Sequence, residues 1–220
     1  MVSVARTDLY VVLPVRGIAN GKSRLASMLS PSQRANLNRW LFVHTLHSLH
    51  AWRGGLKQCV VVSACERVLD IGRAAGARTV RENPICGLNA AVTQATAHAS
   101  ELGARRVLVL PCDLPGLTPH ALASFVDHAA DANIALAPDK TGSGTNAMIV
   151  DAAQPPRFQF GPRSFSLHMS AAAAHASRVI VHRSLELALD LDTLEDLERW
   201  RSRSTFRHAC TAQASFNAMV

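Results

Sequence analysis

Three cations are crowded into one short polar segment, residues 16–24, which follows an apolar run. Arg16, Lys22 and Arg24 supply the charges. Ser23 adds a hydroxyl, and two glycines make the backbone flexible. Charge-assisted hydrogen bonds from such side chains suit the oxygens of a triphosphate. The segment lacks the spacing of a Walker loop and the G-x-G-x-x-G pattern, so neither a P-loop ATPase nor a dinucleotide enzyme is indicated. An ordinary solvated loop fits the same residues.

Three aspartates lie in two other segments that follow apolar runs. Asp113 stands between two prolines directly after the run Val107–Leu110, and Asp190 and Asp192 alternate in LDLDT. Alternation in an extended segment sends both carboxylates to the same side, where they repel each other unless a cation separates them. The three carboxylates are therefore candidate ligands of a hard metal ion such as Mg²⁺. Capping of the following turn by Asp113, and of the last helix by Asp192 or Thr193, fits the same positions.

Two glycine-containing loops offer a place for an anion. Residues 141–146 (TGSGTN) and 160–165 (FGPRSF) combine hydroxyls, flexible backbone and N–H groups, which together can form an anion-binding nest. A helix is predicted to start near Ser164, and its dipole also favours negative charge there. Each loop taken alone is equally compatible with a purely structural turn.

The elements that must position these segments form an alternating pattern of strands and helices. Short valine-rich runs at 9–15, 59–63 and 107–110 are typical of strands buried on both faces. Between them lie helical patterns, one of them begun by Ser30, Pro31 and Gln33 as a capping box. This alternation predicts a single-domain α/β fold with a mainly parallel sheet and helices on both faces. In such sheets ligands bind beyond the carboxyl ends of the strands, where the polar segments fall.

The composition limits the classes of function. The chain of 220 residues is 48% hydrophobic and 18% charged, which excludes a wholly disordered protein. Much of its net charge of +7 comes from arginines in the acid-free tail, and no basic stripe is visible, so we expect no nucleic-acid partner.

The apolar runs are too short to span a membrane, and the N-terminus is unlike a secretory signal. Five scattered cysteines are typical of a reducing compartment, so we expect a cytoplasmic protein, with a homodimer as the default assembly.

Five stretches together resemble one enzyme family. They are PVRGIANGKSRLA, CGLNAAV, VLVLPCDLPGLTP, the pair APDKTGSGTNAM and FGPRSF, and ALDLDTLEDL. The first resembles the phosphate loop of nucleotidyltransferases related to the molybdenum-cofactor guanylyltransferase. All five, in order over about residues 9–197, resemble the 2-phospho-L-lactate guanylyltransferase family of deazaflavin coenzyme (F-420) biosynthesis. The sequence departs from that pattern at Cys112, where small residues are usual, and in its tail after Trp200.

The resemblance implies an activity and a set of site residues. It implies a Rossmann-like fold of the nucleotide-diphospho-sugar-transferase type over residues 1–201. The tail at 202–220 is basic and lacks periodicity, which predicts a mobile segment or one that packs against a partner subunit. The implied reaction joins GMP from GTP to 2-phospho-L-lactate, phosphoenolpyruvate or 3-phospho-D-glycerate and releases pyrophosphate. The residues that match the family's functional positions are Asp113, Asp190 and Asp192 for Mg²⁺, Lys22 and Arg24 (with Arg16 and Ser23 in the same loop) for the triphosphate, Gly87, Leu88 and Asn89 for the nucleoside, and Thr145, Gly161 and Ser164 for the phospho-acid.

This interpretation assigns catalysis to positioning and charge neutralisation, with Lys22, Arg24 and Asp113 as the catalytic residues, because a phosphate oxygen needs no general base. Two rival interpretations remain open at this point. One is a nucleotidyltransferase for another acceptor, such as a sugar phosphate or molybdopterin. The other is a non-catalytic nucleotide-binding module, against which the three aspartates argue, because carboxylates repel phosphates unless a metal is present.

Overall fold

Seven strands form one sheet in the computed structural model, which describes residues 8–19, 21–82, 87–174 and 178–202. The strands are β1 (Leu9–Pro14), β2 (Cys59–Ser63), β3 (Arg78–Arg81), β4 (Arg106–Val109), β5 (Ile134–Pro138), β6 (Thr145–Asp151) and β7 (Val179–Val181). Their order across the sheet is β3-β2-β1-β4-β6-β5-β7. Among the described residues β6 alone runs against its neighbours β4 and β5, and the other four pairings are parallel.

Seven helices connect or follow the strands of the described chain. They are α1 (Pro31–Arg53), α2 (Glu66–Ala74), α3 (Gly87–Glu101), α4 (Pro119–His128), α5 (Ser164–Ala174), α6 (Leu185–Ala188) and α7 (Leu194–Arg201). A 3-10 turn, Ser23–Leu25, follows Lys22. The predicted capping box at the start of α1 is confirmed: the Gln33 N–H donates to the Ser30 hydroxyl and the Ser30 N–H to the Gln33 side chain.

The sheet is buried on both faces because its strands are apolar at successive positions. On β1, Val11 and Leu13 pack with α1 and α4 residues such as Phe42 and Phe125 in one core. Val12 faces the opposite side, where the small residues of α3 and α5 form a second core. The prediction of a single-domain α/β fold with a mainly parallel sheet and helices on both faces is therefore confirmed.

Two parts of the fold were not predicted from the sequence. Helix α6 has only four residues, which is too short for helical periodicity to show. The 3-10 turn begins from an unusual left-handed conformation of Lys22, with φ of 58°. Of the predicted tail at 202–220, only Ser202 belongs to the described residues.

No helix in the described part of the chain is both long and apolar enough to cross a membrane. Three cysteines there, Cys59, Cys65 and Cys112, are free thiols.

A third apolar cluster lies apart from the two sheet cores and joins the segment 16–25 to residues 189–200. Leu25, which follows Lys22 and Arg24, is fully buried against Leu189 and Leu191, which flank Asp190. Leu197 and Trp200 of α7 complete this cluster. Two segments some 165 positions apart in sequence are thus held together by hydrophobic burial.

We expect Leu25→Ala to lower the free energy of unfolding by about 3 kcal/mol, because a fully buried leucine leaves a cavity when it is truncated. Met28→Ala, in the same segment at 57% exposure, is the matched control and should change stability by less than about 0.5 kcal/mol. Urea unfolding of both variants measures the difference. Equal stabilities would show that the cluster does not hold the loop.

Candidate active site

Two cavities open along one edge of the sheet, where the six strands other than β6 end and β6 begins. The first, of about 310 Å³, is lined by Arg16, Gly17 and Lys22 and is called the loop cavity. The second, of about 500 Å³, is lined by Gly144 and Thr145 of the β5–β6 hairpin and is called the hairpin cavity. The residues that line both are Pro14, Leu88, Pro111, Asp113 and Asp192. The two cavities therefore meet at two of the predicted carboxylates.

The loop cavity extends along three strand spacings. Glu82 lines it directly after β3, Arg16 lies beyond the end of β1, and Asp113 lies beyond the end of β4. Neighbouring strands are about 4.8 Å apart, so these positions span roughly 14 Å of the sheet edge. Its remaining wall is largely apolar, with Leu41 and Phe42 of α1 among the lining residues. This shape suits an elongated ligand that carries charge at one end.

Lys22 lies between two of the predicted metal ligands. Its Nζ donates to Asp192 Oδ1 at 2.7 Å and to Asp113 Oδ2 at 3.2 Å, and its side chain is only 8% exposed. Burial by itself lowers the pKa of Lys22, but the two carboxylates outweigh burial and raise that pKa. The ammonium group is therefore charged, and it supplies the cation that two neighbouring aspartates require.

A second ammonium supports the segment that carries Asp190 and Asp192. Lys140 pairs with Asp196, which is almost fully buried, and Asp196 also accepts hydrogen bonds from the backbone N–H groups of Asp192 and Thr193. Burial tends to raise the pKa of Asp196, and the hydrogen bonds from Lys140 and Thr193 lower it overall. Because Lys140 follows β5 and Asp196 belongs to α7, this ion pair joins the hairpin to the aspartate segment.

Of the four clustered aspartates, Asp190 has the weakest contacts with hydrogen-bond donors and cations. Its Oδ1 is buried without a hydrogen-bond partner in the described structure, and the nearest cation, Lys140 Nζ, is 3.9 Å away. Burial and then the charge of Asp113 raise the pKa of Asp190. The Leu191 N–H donates to the Asp113 carbonyl at 3.0 Å, which fixes the two aspartate segments side by side.

The carboxylate cluster fits a divalent cation in charge and in donor type. When all are ionised, Asp113, Asp190, Asp192 and Asp196 with Lys22 and Lys140 carry a net charge of −2. An orphaned buried oxygen on Asp190 is available, and oxygen donors are those that Mg²⁺ prefers. Within the described residues, no three acidic, histidine or cysteine side chains already have metal-binding geometry. Instead of a metal-binding arrangement, Asp113 and Asp192 share the Lys22 ammonium, which lies between them.

Thr145 and Ser164 meet in the hairpin cavity. The Thr145 N–H donates to Ser164 Oγ at 2.9 Å, and the Ser164 N–H donates to the Gly161 carbonyl at 3.1 Å. These two N–H groups are thus used within the protein, which leaves the hydroxyls as the groups of these two lining residues that can bind a ligand. Gly161 has φ of 131°, and a Cβ there would meet no protein atom within 4 Å.

The other predicted site residues are divided between the two cavities, and some line neither. Arg24 lines the hairpin cavity, whereas Arg16 and Gly87 line the loop cavity, and Leu88 lines both. Ser23 is exposed in the 3-10 turn and lines neither cavity.

Asn89 also lines neither cavity, because its side-chain amide is engaged by the loop at 160–165. Its Nδ2 donates to the Phe160 carbonyl, and its Oδ1 accepts from the Phe160 N–H at 2.7 Å. The structure thus places Asn89 as a link between the start of α3 and that loop.

Sequence reasoning missed Glu82, Lys140 and His168. Glu82 follows a short strand and carries no local motif. Lys140 stands in the APDKTGSG stretch, whose glycines and hydroxyls predict an anion-binding turn and give no separate role to the lysine. His168 lies four residues after Ser164 on α5, and this helical spacing is the signal that could have found it, because it places both side chains on one face.

Comparison with known proteins identifies relatives over nearly the whole described chain. The family described as "Guanylyl transferase CofC like" matches residues 9–200. A phosphoenolpyruvate guanylyltransferase of Rubrobacter xylanophilus is 39% identical over 87% of this chain and 93% of its own. A 3-phospho-D-glycerate guanylyltransferase of Phenylobacterium zucineum is 34% identical (84% and 86%). A 2-phospho-L-lactate guanylyltransferase of Methanobrevibacter smithii is 30% identical (86% and 82%).

The fold also resembles solved structures. A putative nucleotide-diphospho-sugar transferase from Desulfovibrio desulfuricans superposes with a TM-score of 0.71 over 96% of both chains. At 14% sequence identity this likeness concerns the fold alone. It confirms the nucleotide-diphospho-sugar-transferase type of architecture predicted from the sequence.

We expect Asp190→Asn and Asp192→Asn to have opposite effects on stability without metal. Asp190→Asn should stabilise the protein by up to about 1 kcal/mol at pH 7, because ionised Asp190 is unfavourable in the fold. Asp192→Asn should destabilise by about 1 kcal/mol, since Lys22 loses a partly exposed charged acceptor.

The Asp190→Asn advantage should vanish below pH 3.8, where the carboxyl group is protonated in folded and unfolded chains alike. Urea unfolding in the presence of a chelator, at pH 7 and at acidic pH, measures both effects. The same sign for the two variants at pH 7 would contradict this account of the cluster.

Proposed function

This chain belongs to the family of CofC-like guanylyl transferases, and on that premise we propose that it joins GMP from GTP to a three-carbon phospho-acid. The products are a GDP-linked acid and pyrophosphate. The acids named for its relatives are phosphoenolpyruvate, 3-phospho-D-glycerate and 2-phospho-L-lactate, and one of these three is the proposed acceptor. The proposed role is a step in the biosynthesis of coenzyme F-420.

One observation carries the proposal: two cavities of different character meet at Asp113 and Asp192. The loop cavity is elongated, partly apolar and contains Arg16 and Lys22, which suits a nucleoside triphosphate. The hairpin cavity contains Arg24 with the hydroxyl side chains Thr145 and Ser164, which suits a small phosphorylated acid. A reaction between the two ligands would take place at their shared wall.

The proposed chemistry needs no protein nucleophile. A phosphate oxygen of the acid attacks the α-phosphorus of GTP, a new P–O bond forms, and the bond between the α-phosphorus and the bridging oxygen to the β-phosphate breaks. The electron pair leaves with pyrophosphate. The attacking oxygen is already an anion, so the barrier comes from alignment and from charge repulsion. Arg16 and Lys22 would neutralise the departing pyrophosphate. Arg24, which the family resemblance assigns to the triphosphate, lines the hairpin cavity and would instead hold the acid.

Asp113, Asp190 and Asp192 are the proposed ligands of Mg²⁺. When bound, the ion would neutralise phosphate charge and orient the reacting oxygens. Two of these carboxylates, Asp113 and Asp192, hold Lys22 in the structure, so their charge also keeps this lysine at the junction of the two cavities. Lys140 and Asp196 would maintain the aspartate segment in position.

The test is pyrophosphate release from GTP with each of the three acids, with and without Mg²⁺. We expect turnover with at least one acid, dependence on Mg²⁺, and a loss of roughly a hundredfold or more in Asp192→Asn, as for a metal site that loses a charged ligand. GTP binding without turnover on any acid would refute the proposed reaction. Turnover only with a sugar phosphate or molybdopterin would assign a different acceptor. Near-normal activity of Asp192→Asn would refute the metal assignment.

Glu82 is the proposed contact for the guanine base. Of the carboxylates among the described residues that line the loop cavity, it is the one not paired with Lys22, and it lies at the far end of the cavity from Asp113. A carboxylate can accept from both the N1–H and the amino group of guanine, whereas adenine offers no such pair of donors.

We therefore expect Glu82→Gln to reduce the preference for GTP over ATP by about tenfold or more, because one charged hydrogen bond is weakened. The ratio of kcat/KM for the two nucleotides measures it. Glu101→Gln, the same change at an exposed position near the end of α3, is the control and should leave the ratio unchanged. An unaltered ratio in Glu82→Gln would place the base elsewhere.

A further inference from the structure

A buried histidine that the reaction does not require lies directly behind the hairpin cavity. His168 of α5 is 1% exposed, and both of its ring nitrogens are engaged. Nδ1 is 3.0 Å from Thr145 Oγ1, and Nε2 accepts the backbone N–H of Gln159 at 3.0 Å. The ring also packs edge-on against Phe160, with centroids 4.9 Å apart. The histidine is therefore held in one orientation from three sides.

These contacts determine which nitrogen carries the proton. A backbone N–H can only donate, so Nε2 must present its lone pair to Gln159. Burial lowers the pKa of His168 to about 4, so the ring is neutral at pH 7 and its one proton is on Nδ1. Nδ1–H consequently donates to Thr145 Oγ1.

The direction of this bond decides what the hydroxyls can offer. A hydroxyl has one proton and two lone pairs. Because Thr145 Oγ1 accepts from His168, its own proton is free for another acceptor. Ser164 Oγ is in the same situation, since it accepts the Thr145 N–H. Both side chains line the hairpin cavity and can donate to a ligand oxygen there.

We propose that His168 is a positioning residue for the acceptor site, which fixes the Thr145 hydroxyl as a hydrogen-bond donor to an anionic oxygen of the phospho-acid. The inference rests on the proposed function and extends it. His168 does not touch the acid, and acts through Thr145. The Gln159 N–H donates to His168, and His168 donates to Thr145. The cavity therefore favours a ligand atom that accepts a hydrogen bond and has none to donate.

The test combines His168→Phe, Thr145→Val and the double variant. Phenylalanine keeps the packing against Phe160 and removes both ring nitrogens. We expect each single variant to raise the KM for the acid roughly tenfold, with the KM for GTP within about twofold of wild type. The double variant should be no worse than Thr145→Val alone, because His168 acts only through that hydroxyl.

Two further variants separate positioning from folding. His168→Asn retains a side-chain N–H near the place of Nδ1 and should recover part of the affinity for the acid. His44→Phe changes another buried, neutral histidine, one stacked on Trp40, and should leave the KM for the acid unchanged. If His168→Phe and His44→Phe raised the KM for the acid equally, the effect would be structural and the inference would be wrong.

Nitrogen NMR of the ligand-free protein at pH 7 gives a readout independent of turnover. We expect His168 to show a protonated Nδ1 and an unprotonated Nε2; the opposite pattern would overturn the inference regardless of the assay. Wild-type turnover with an unchanged KM for the acid in His168→Phe, or additive effects in the double variant, would overturn it as well. A wild-type protein inactive with all three acids would refute the proposed function and with it the role of His168, so the two failures are distinguishable.

Discussion

Repulsion among carboxylates at one edge of the sheet is the constraint on which the site depends. Asp113, Asp190 and Asp192 are brought to that edge by two segments that a backbone hydrogen bond holds side by side. Two lysines from different loops offset the repulsion, Lys22 between Asp113 and Asp192, and Lys140 against Asp196. Because each lysine comes from a different part of the chain, these ion pairs also join the loop at 16–24 and the β5–β6 hairpin to the aspartate segment.

The antiparallel direction of β6 explains how the residues of the hairpin cavity reach the same edge of the sheet as those of the loop cavity. In a wholly parallel sheet the first residue of a strand lies at the opposite edge from the carboxyl ends. The β5–β6 hairpin reverses direction, so Thr145, at the start of β6, lies next to the end of β4. The hydrogen bond from its N–H to Ser164 then draws the start of α5 to the same place.

Much of this arrangement could be predicted from the sequence, and the rest could not, for physical reasons. Valine-rich runs and the Ser30 capping box report local preferences, so the sheet and most helices were predicted. The rule that ligands bind beyond the carboxyl ends of parallel strands points to the segments with Asp113, Thr145 and Ser164, which line one cavity in the structure; their roles are predictions. Lys22 between two aspartates, and the amide of Asn89 on Phe160, depend on contacts between residues more than 70 positions apart, which no local pattern encodes.

One side of the hairpin cavity is formed by an interior strand, β6, and another by a loop. Thr145 is the first residue of β6, where its backbone lies opposite Pro138 of β5 and its N–H donates to Ser164 Oγ. The opposite wall comes from a loop, residues 160–163, in which Arg163 adopts a left-handed backbone conformation and Gly161 has open space above it. If the hairpin cavity holds the phospho-acid as proposed, reshaping that loop would alter the space in the cavity without changing the strand that carries Thr145. Relatives with one architecture could in this way diverge in acceptor by loop exchange alone.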